Sequence, residues 1–113
     1  MKAIVTALAV VIALVASLGV ADATYRVDRV HAFDTNVYSF VFSCGVTTHI
    51  TLQGDGDTDL DARLFDEFGN LIDVDLRRDD FCSLWVTPSW TGVFYLEVRN
   101  LGNVYNEYEL AVR

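Results

Sequence analysis

Apolar and polar residues alternate with a period of two along nearly the whole chain beyond residue 36, and no other feature limits its folding options so tightly. In the run 37–43, Tyr38, Phe40 and Phe42 fall on one face, with Ser39 and Ser43 on the other. Val46, Ile50 and Leu52 oppose Thr47, His49, Thr51 and Gln53; Leu60 and Leu64 oppose Asp59, Asp61 and Arg63. Ile72, Val74 and Leu76 oppose Asp73 and Asp75, and Cys82, Leu84 and Val86 oppose Phe81 and Trp85. The same holds for Phe94, Leu96 and Val98 against Tyr95, Glu97 and Arg99, and for Tyr108, Leu110 and Val112 against Glu107 and Glu109. Such runs are strands with one buried and one wet face. Turn residues divide them: Asp66-Glu67-Phe68-Gly69-Asn70, with Gly69 or Asn70 at positive φ, then Pro88 to Gly92, then Leu101-Gly102-Asn103. Residues 24–32 add a weakly patterned edge strand. Seven or eight short strands without a helical stretch predict an all-β fold, an antiparallel β-sandwich. The pattern leaves open which Greek-key connection it uses.

Residues 1–23 have a different character. Met1-Lys2 gives a short positive start, residues 3–20 are apolar and uncharged, and Ala21-Asp22-Ala23 fits a small-x-small cleavage site. This is the pattern of a secretory signal peptide cut before Thr24, with an uncleaved anchor as the competing reading. Residues 24–113 then form a single domain, secreted or periplasmic. They carry seven Arg and no Lys against fifteen Asp and Glu. A surface this acidic repels nucleic acid and anionic lipid and favours cations. After cleavage nothing points to a membrane. In an oxidising compartment Cys44 and Cys82 are expected to pair, because a small domain gains about 4 kcal/mol from such a staple. Two buried free thiols are the alternative.

The densest chemistry lies in residues 54–61, Gly-Asp-Gly-Asp-Thr-Asp-Leu-Asp. Calcium takes six to eight oxygens at about 2.3–2.6 Å. Asp59 and Asp61 share a strand face, and Asp55 or Asp57 could fold back toward them from the glycine-rich turn. An EF-hand is excluded, because Leu60 stands where that loop needs Gly. A calcium site and a solvated Asp-Gly turn are the two readings the residues allow. His31 and His49 are the only imidazoles, and no nucleophile elbow is visible. A sandwich this small leaves little room for a deep catalytic cleft and its carboxylates read as solvated strand-face charges, so an enzyme is not expected. Trp85 and Tyr95 share outward parity and could form an exposed aromatic platform for a sugar or an extended peptide. The bland alternative has Trp90 plugging one end of the sandwich and Trp85 capping a core edge.

Residues 54–66, then Gly69-Asn70, Thr91-Gly92-Val93-Phe94-Tyr95-Leu96-Glu97-Val98 and Tyr108-Glu109-Leu110, together resemble the bacterial pre-peptidase C-terminal domain. Arg63 and Phe94 depart from that family's usual residues. The resemblance implies a jelly-roll-like sandwich without catalytic activity. By relation to the collagen-binding domains of clostridial collagenases it also implies calcium-stabilised binding, for which the acidic loop of this chain offers Asp55, Asp57, Asp59 and Asp61. The expected function is an exported, non-catalytic binding or accessory module of the kind associated with secreted peptidases, with an extracellular protein or polysaccharide as ligand. Two alternatives stand beside it. One is a lectin-like carbohydrate binder using Trp85 and Tyr95. The other, from the family association alone, is an inhibitor or chaperone of a separately encoded secreted peptidase.

Overall fold

A computed structural model describes residues 24–113; the expected signal peptide lies outside the described residues. Eight strands follow one another: β1 (Thr24–Val30), β2 (Thr35–Phe42), β3 (Thr48–Gln53), β4 (Leu60–Asp66), β5 (Leu71–Asp75), β6 (Phe81–Val86), β7 (Gly92–Asn100) and β8 (Asn106–Val112). They form two four-stranded sheets, ordered β1-β8-β3-β6 and β2-β7-β4-β5, with every pairing antiparallel. Two interlocked four-strand sheets in this order make a jelly roll. The weak 24–32 segment is a full strand, paired with β8 from Thr24↔Val112 to Val30↔Asn106.

The core is what the alternation predicts. Leu60, Ala62 and Leu64 of β4 meet Leu96 and Val98 of β7 and, from the other sheet, Ile50, Leu52, Leu84 and Leu110, all essentially without solvent contact. Trp90 packs partly buried against this core and stacks on Phe94, with ring centroids 6.0 Å apart. Gly69 supplies the positive φ of the β4–β5 turn, at 87°. Asp66 organises that turn by accepting from Phe68 N and Asn70 N.

Three expectations are corrected. Strand β5 has the opposite facing: Ile72, Val74 and Leu76 are exposed, while Asp75 is buried. Register explains this, because Asp73 and Asp75 pair with Leu64 and Ala62, whose side chains point into the core. β5 is a sheet edge, and its inward positions lie against the open edge of β6. There Asp75 Oδ2 accepts from Ser83 N and Asp73 Oδ2 from Trp85 N, each at 2.9 Å. Asp73 Oδ1 also accepts from Val74 N. Both sheets therefore have one edge protected by carboxylates.

The Cys44–Cys82 bridge is not formed: both cysteines are free, Cys44 exposed and Cys82 buried. β2 ends at Phe42, so Cys44 falls in the loop beside Pro88 and Thr91, past the Val86 end of β6. Cys82 is the second residue of β6, at the other end of the molecule, and bonds Leu60 O through its thiol. The four steps along the strand from Cys82 to Val86 alone span about 13 Å. A disulfide needs Cα atoms within about 7 Å.

Trp85 and Tyr95 both point outward as expected, but from different sheets, β6 in one and β7 in the other. They lie on opposite faces of the molecule and cannot share a ligand.

Candidate functional site

Following the strands places the loops. Loops 31–34, 54–59, 76–80 and 101–105 gather at one end, with loops 43–47, 67–70 and 87–91 and both ends of the described chain at the other. The first group holds most of the chemistry, and it is built on two asparagines. Asn100 closes β7 and Asn106 opens β8, at positions that continue the inward parity of Val98 and Tyr108. Neither side chain touches solvent. Asn100 Nδ2 donates to Val30 O, His31 O and Val104 O, and its Oδ1 accepts from Gly102 N. Asn106 Nδ2 donates to Thr58 Oγ1 and Asp80 Oδ2, both at 3.1 Å, and its Oδ1 accepts from Asp55 N. One asparagine thus holds the β1–β2 loop and the other the acidic loop. A buried amide must satisfy its bonds, and these do so by fixing loop backbone.

Further contacts lace the loops together. Phe33 N donates to Gly102 O, and Leu101 N to Asp59 O. Glycine is required at two close approaches: an added Cβ would collide with the Asp80 carboxylate at Gly54 and with Thr58 at Gly102. Behind the loops, Tyr38 and Tyr108 share a hydrogen bond, Tyr38 also donates to Asp28 Oδ2 at 2.7 Å, and Asn36 donates to Tyr108 Oη. Burial pushes the Tyr108 phenol up to about 12 despite its hydrogen bonds with Tyr38 and Asn36. It raises Tyr38 as well, with help from Tyr108 and Asp28. Both phenols stay protonated.

On this scaffold four apolar side chains face water. Phe33 is 63% exposed, Val104 48%, Tyr105 45% and Leu101 40%. Arg29 lies 4.4 Å over the Tyr105 ring. Phe33 is the one non-glycine residue with positive φ among those described, at 58°. A bulky residue in that conformation is strained, and the surrounding hydrogen bonds hold it there.

The four acidic-loop carboxylates expected to gather around calcium do not converge. Asp55 Oδ1 accepts from Asp57 N at 3.0 Å and Oδ2 from Glu107 N at 2.9 Å, so it is turned toward β8. Asp57 is exposed, whereas Asp61 is buried on β4 opposite Arg99. Among the described residues no group of three or more His, Cys, Asp or Glu is placed to hold a metal ion. Asp80, which the sequence reading passed over, organises the loop instead, accepting from Gly56 N at 2.6 Å and from Asn106. Asp59 and Asp61 each keep one buried oxygen without a hydrogen-bond partner. Burial raises the pKa of both; Asp61 and Asp79 add to the effect on Asp59, while Arg63 and Arg99 oppose it at Asp61.

Of the two aromatic candidates, Tyr95 sits on the outer face of its sheet between Ser39 and Phe65. Trp85 is 55% exposed and stacks on His49, with centroids 3.8 Å apart and planes within 5°. His49 Nε2 lies 2.8 Å from Ser83 Oγ, the spacing of a nucleophile and its base. That pair stands on the outer face of a sheet, and the Ser83 N–H, the donor an oxyanion there would need, is bound to Asp75.

No family model matches the sequence, and no curated protein matches it. Solved structures do share its architecture. The pre-peptidase C-terminal domain of a collagenase from Bacillus anthracis superposes with a TM-score of 0.63 at 21% identity, covering 80% of this chain and 88% of that one. The periplasmic inhibitor of g-type lysozyme from Aeromonas hydrophila superposes with a TM-score of 0.61 at 16% identity, covering 87% and 90%. The jelly-roll sandwich of this chain is the fold of both.

Proposed function

We propose that the protein is an exported, non-catalytic module that binds another extracellular or periplasmic protein through the loop end of its sandwich. The observation that carries this reading is the set of exposed apolar side chains, Phe33, Leu101, Val104 and Tyr105, on loops fixed by the buried Asn100. Loops ordered before binding lose little entropy on docking, and an apolar centre is what protein interfaces bury. Two proteins of this fold support it: one domain belongs to a collagenase and one protein inhibits a lysozyme. Export rests on the leader pattern of residues 1–23.

The test presents the purified protein to g-type lysozyme, a secreted collagenase, collagen-derived peptides and insoluble polysaccharides. Retention by a protein ligand is expected, with loss of retention for Phe33→Ser and Val104→Ser. Retention by polysaccharide alone, unchanged in those variants, would sink the proposal. It would favour a second reading, saccharide stacking on Trp85, which rests on the exposure of that ring beside His49.

A further inference from the structure

The charge of the molecule is not spread evenly over its two ends. The four loops at the Asn100 end contain six aspartates (Asp34, Asp55, Asp57, Asp59, Asp79 and Asp80) against two arginines, Arg77 and Arg78. The three loops of the opposite end contain one carboxylate, Glu67, and no basic residue. The ion pairs among the described residues are Arg26–Asp28 and Arg77–Asp75, so none involves the six loop aspartates, and the charge of Arg78 acts on Asp59 from farther away. Asp57 and Asp79 are exposed, and Asp55 is held in place by the backbone of Asp57 and Glu107. The acidic loop therefore adjoins the apolar group of Phe33, Leu101, Val104 and Tyr105, through Gly102 packed on Thr58 and Leu101 bonded to Asp59 O, while Arg29 over the Tyr105 ring adds one positive charge beside it.

From this arrangement we infer that the surface docks a cationic protein whose apolar recess is rimmed by lysine or arginine. The inference rests on the protein-binding reading and names the partner's chemistry. An apolar centre desolvates and supplies the anchor, and a charged rim steers the encounter and rejects acidic surfaces. Nucleic acid and anionic lipid are repelled by the same field. The strained backbone at Phe33 fits this role, since glycine would relax the loop but leave the recess unfilled.

A random peptide library displayed on phage and selected against the immobilised protein tests it without a known partner. Enriched peptides are expected to combine Lys or Arg with aromatic or aliphatic residues. Their affinity should fall about tenfold or more for Phe33→Ser/Val104→Ser. It should fall by a similar factor between about 50 and about 300 mM salt, and for Asp57→Lys. Phe33→Gly controls for folding: its melting temperature should be unchanged or higher while binding is lost. Peptides that need Phe33 but carry no basic residue and ignore salt would overturn the cationic partner and leave the protein-binding reading intact. Peptides that bind the double variant as well as the wild type, or no enrichment at all, would overturn both.

Discussion

Asn100 shows how much one buried side chain can decide. Its amide donates to three carbonyls, of the last β1 residue and of two loops, and replacing it leaves one buried and two part-buried groups without that donor. Asn100→Ala should lower the unfolding free energy by about 3 kcal/mol in a urea titration, since each buried polar group left unsatisfied costs roughly 1–3 kcal/mol. The carboxylates behave in two opposite ways. Folding raises the pKa of Asp59 and Asp61, so their contribution is full below the unfolded value and is lost as pH rises through the folded one. Asp61→Asn should therefore stabilise the protein near neutral pH, by an amount that vanishes in acid. Hydrogen bonds from Arg77, against the cost of burial, hold Asp75 below its usual range. Its contribution is present above the unfolded pKa and is lost as pH falls through the folded one. Thermal melts of Asp61→Asn and Asp75→Asn across acidic and neutral pH check both signs. The two asparagines were open to sequence reading: a polar residue on the core parity of a strand marks a buried network, as Asn100 after Val98 and Asn106 before Tyr108 do.

At the level of elements, period-two alternation identified seven strands and their turns because each has one face in the core. It misjudged β5, where the apolar residues face outward. An edge strand over an open side of the sandwich is better served by Asp73 and Asp75, which bind the backbone of β6, than by more aliphatic surface. Asp75→Ala should cost roughly 2–3 kcal/mol, because Ser83 N loses its acceptor and Arg77 its partner. Combined with Asp73→Ala, it should also expose the β6 edge and cause concentration-dependent association visible by light scattering. The disulfide expectation failed for a different reason. Inward parity was right for Cys82, but parity says nothing about which end of a strand a residue occupies, and the two cysteines lie at opposite ends. In the native protein one thiol, Cys44, should react with a disulfide reagent. Cys82, buried and pushed up to about 12, should react only on unfolding.

Across the whole molecule, the sandwich divides into an end that is acidic and apolar and an end that is nearly uncharged. The sequence displayed the acidic run but not its neighbours, since loops 31–34, 54–59 and 101–105 meet only through the jelly-roll path. The same path turns Asp55 toward β8, where it accepts from Glu107 N, so the four closely spaced carboxylates are not gathered at one point. Millimolar calcium or EDTA should leave the melting temperature unchanged; a clear rise with calcium would refute the geometry. The pairing of β1 with β8 bears on mechanics as well. Thr24 lies opposite Val112, so a load applied between the two ends of the domain acts at one extremity of a single antiparallel ladder. Its hydrogen bonds would be loaded in succession and not together. Stretching by single-molecule force spectroscopy should unzip β1 at low force, with the opening advancing toward Val30 and reaching the loop end last.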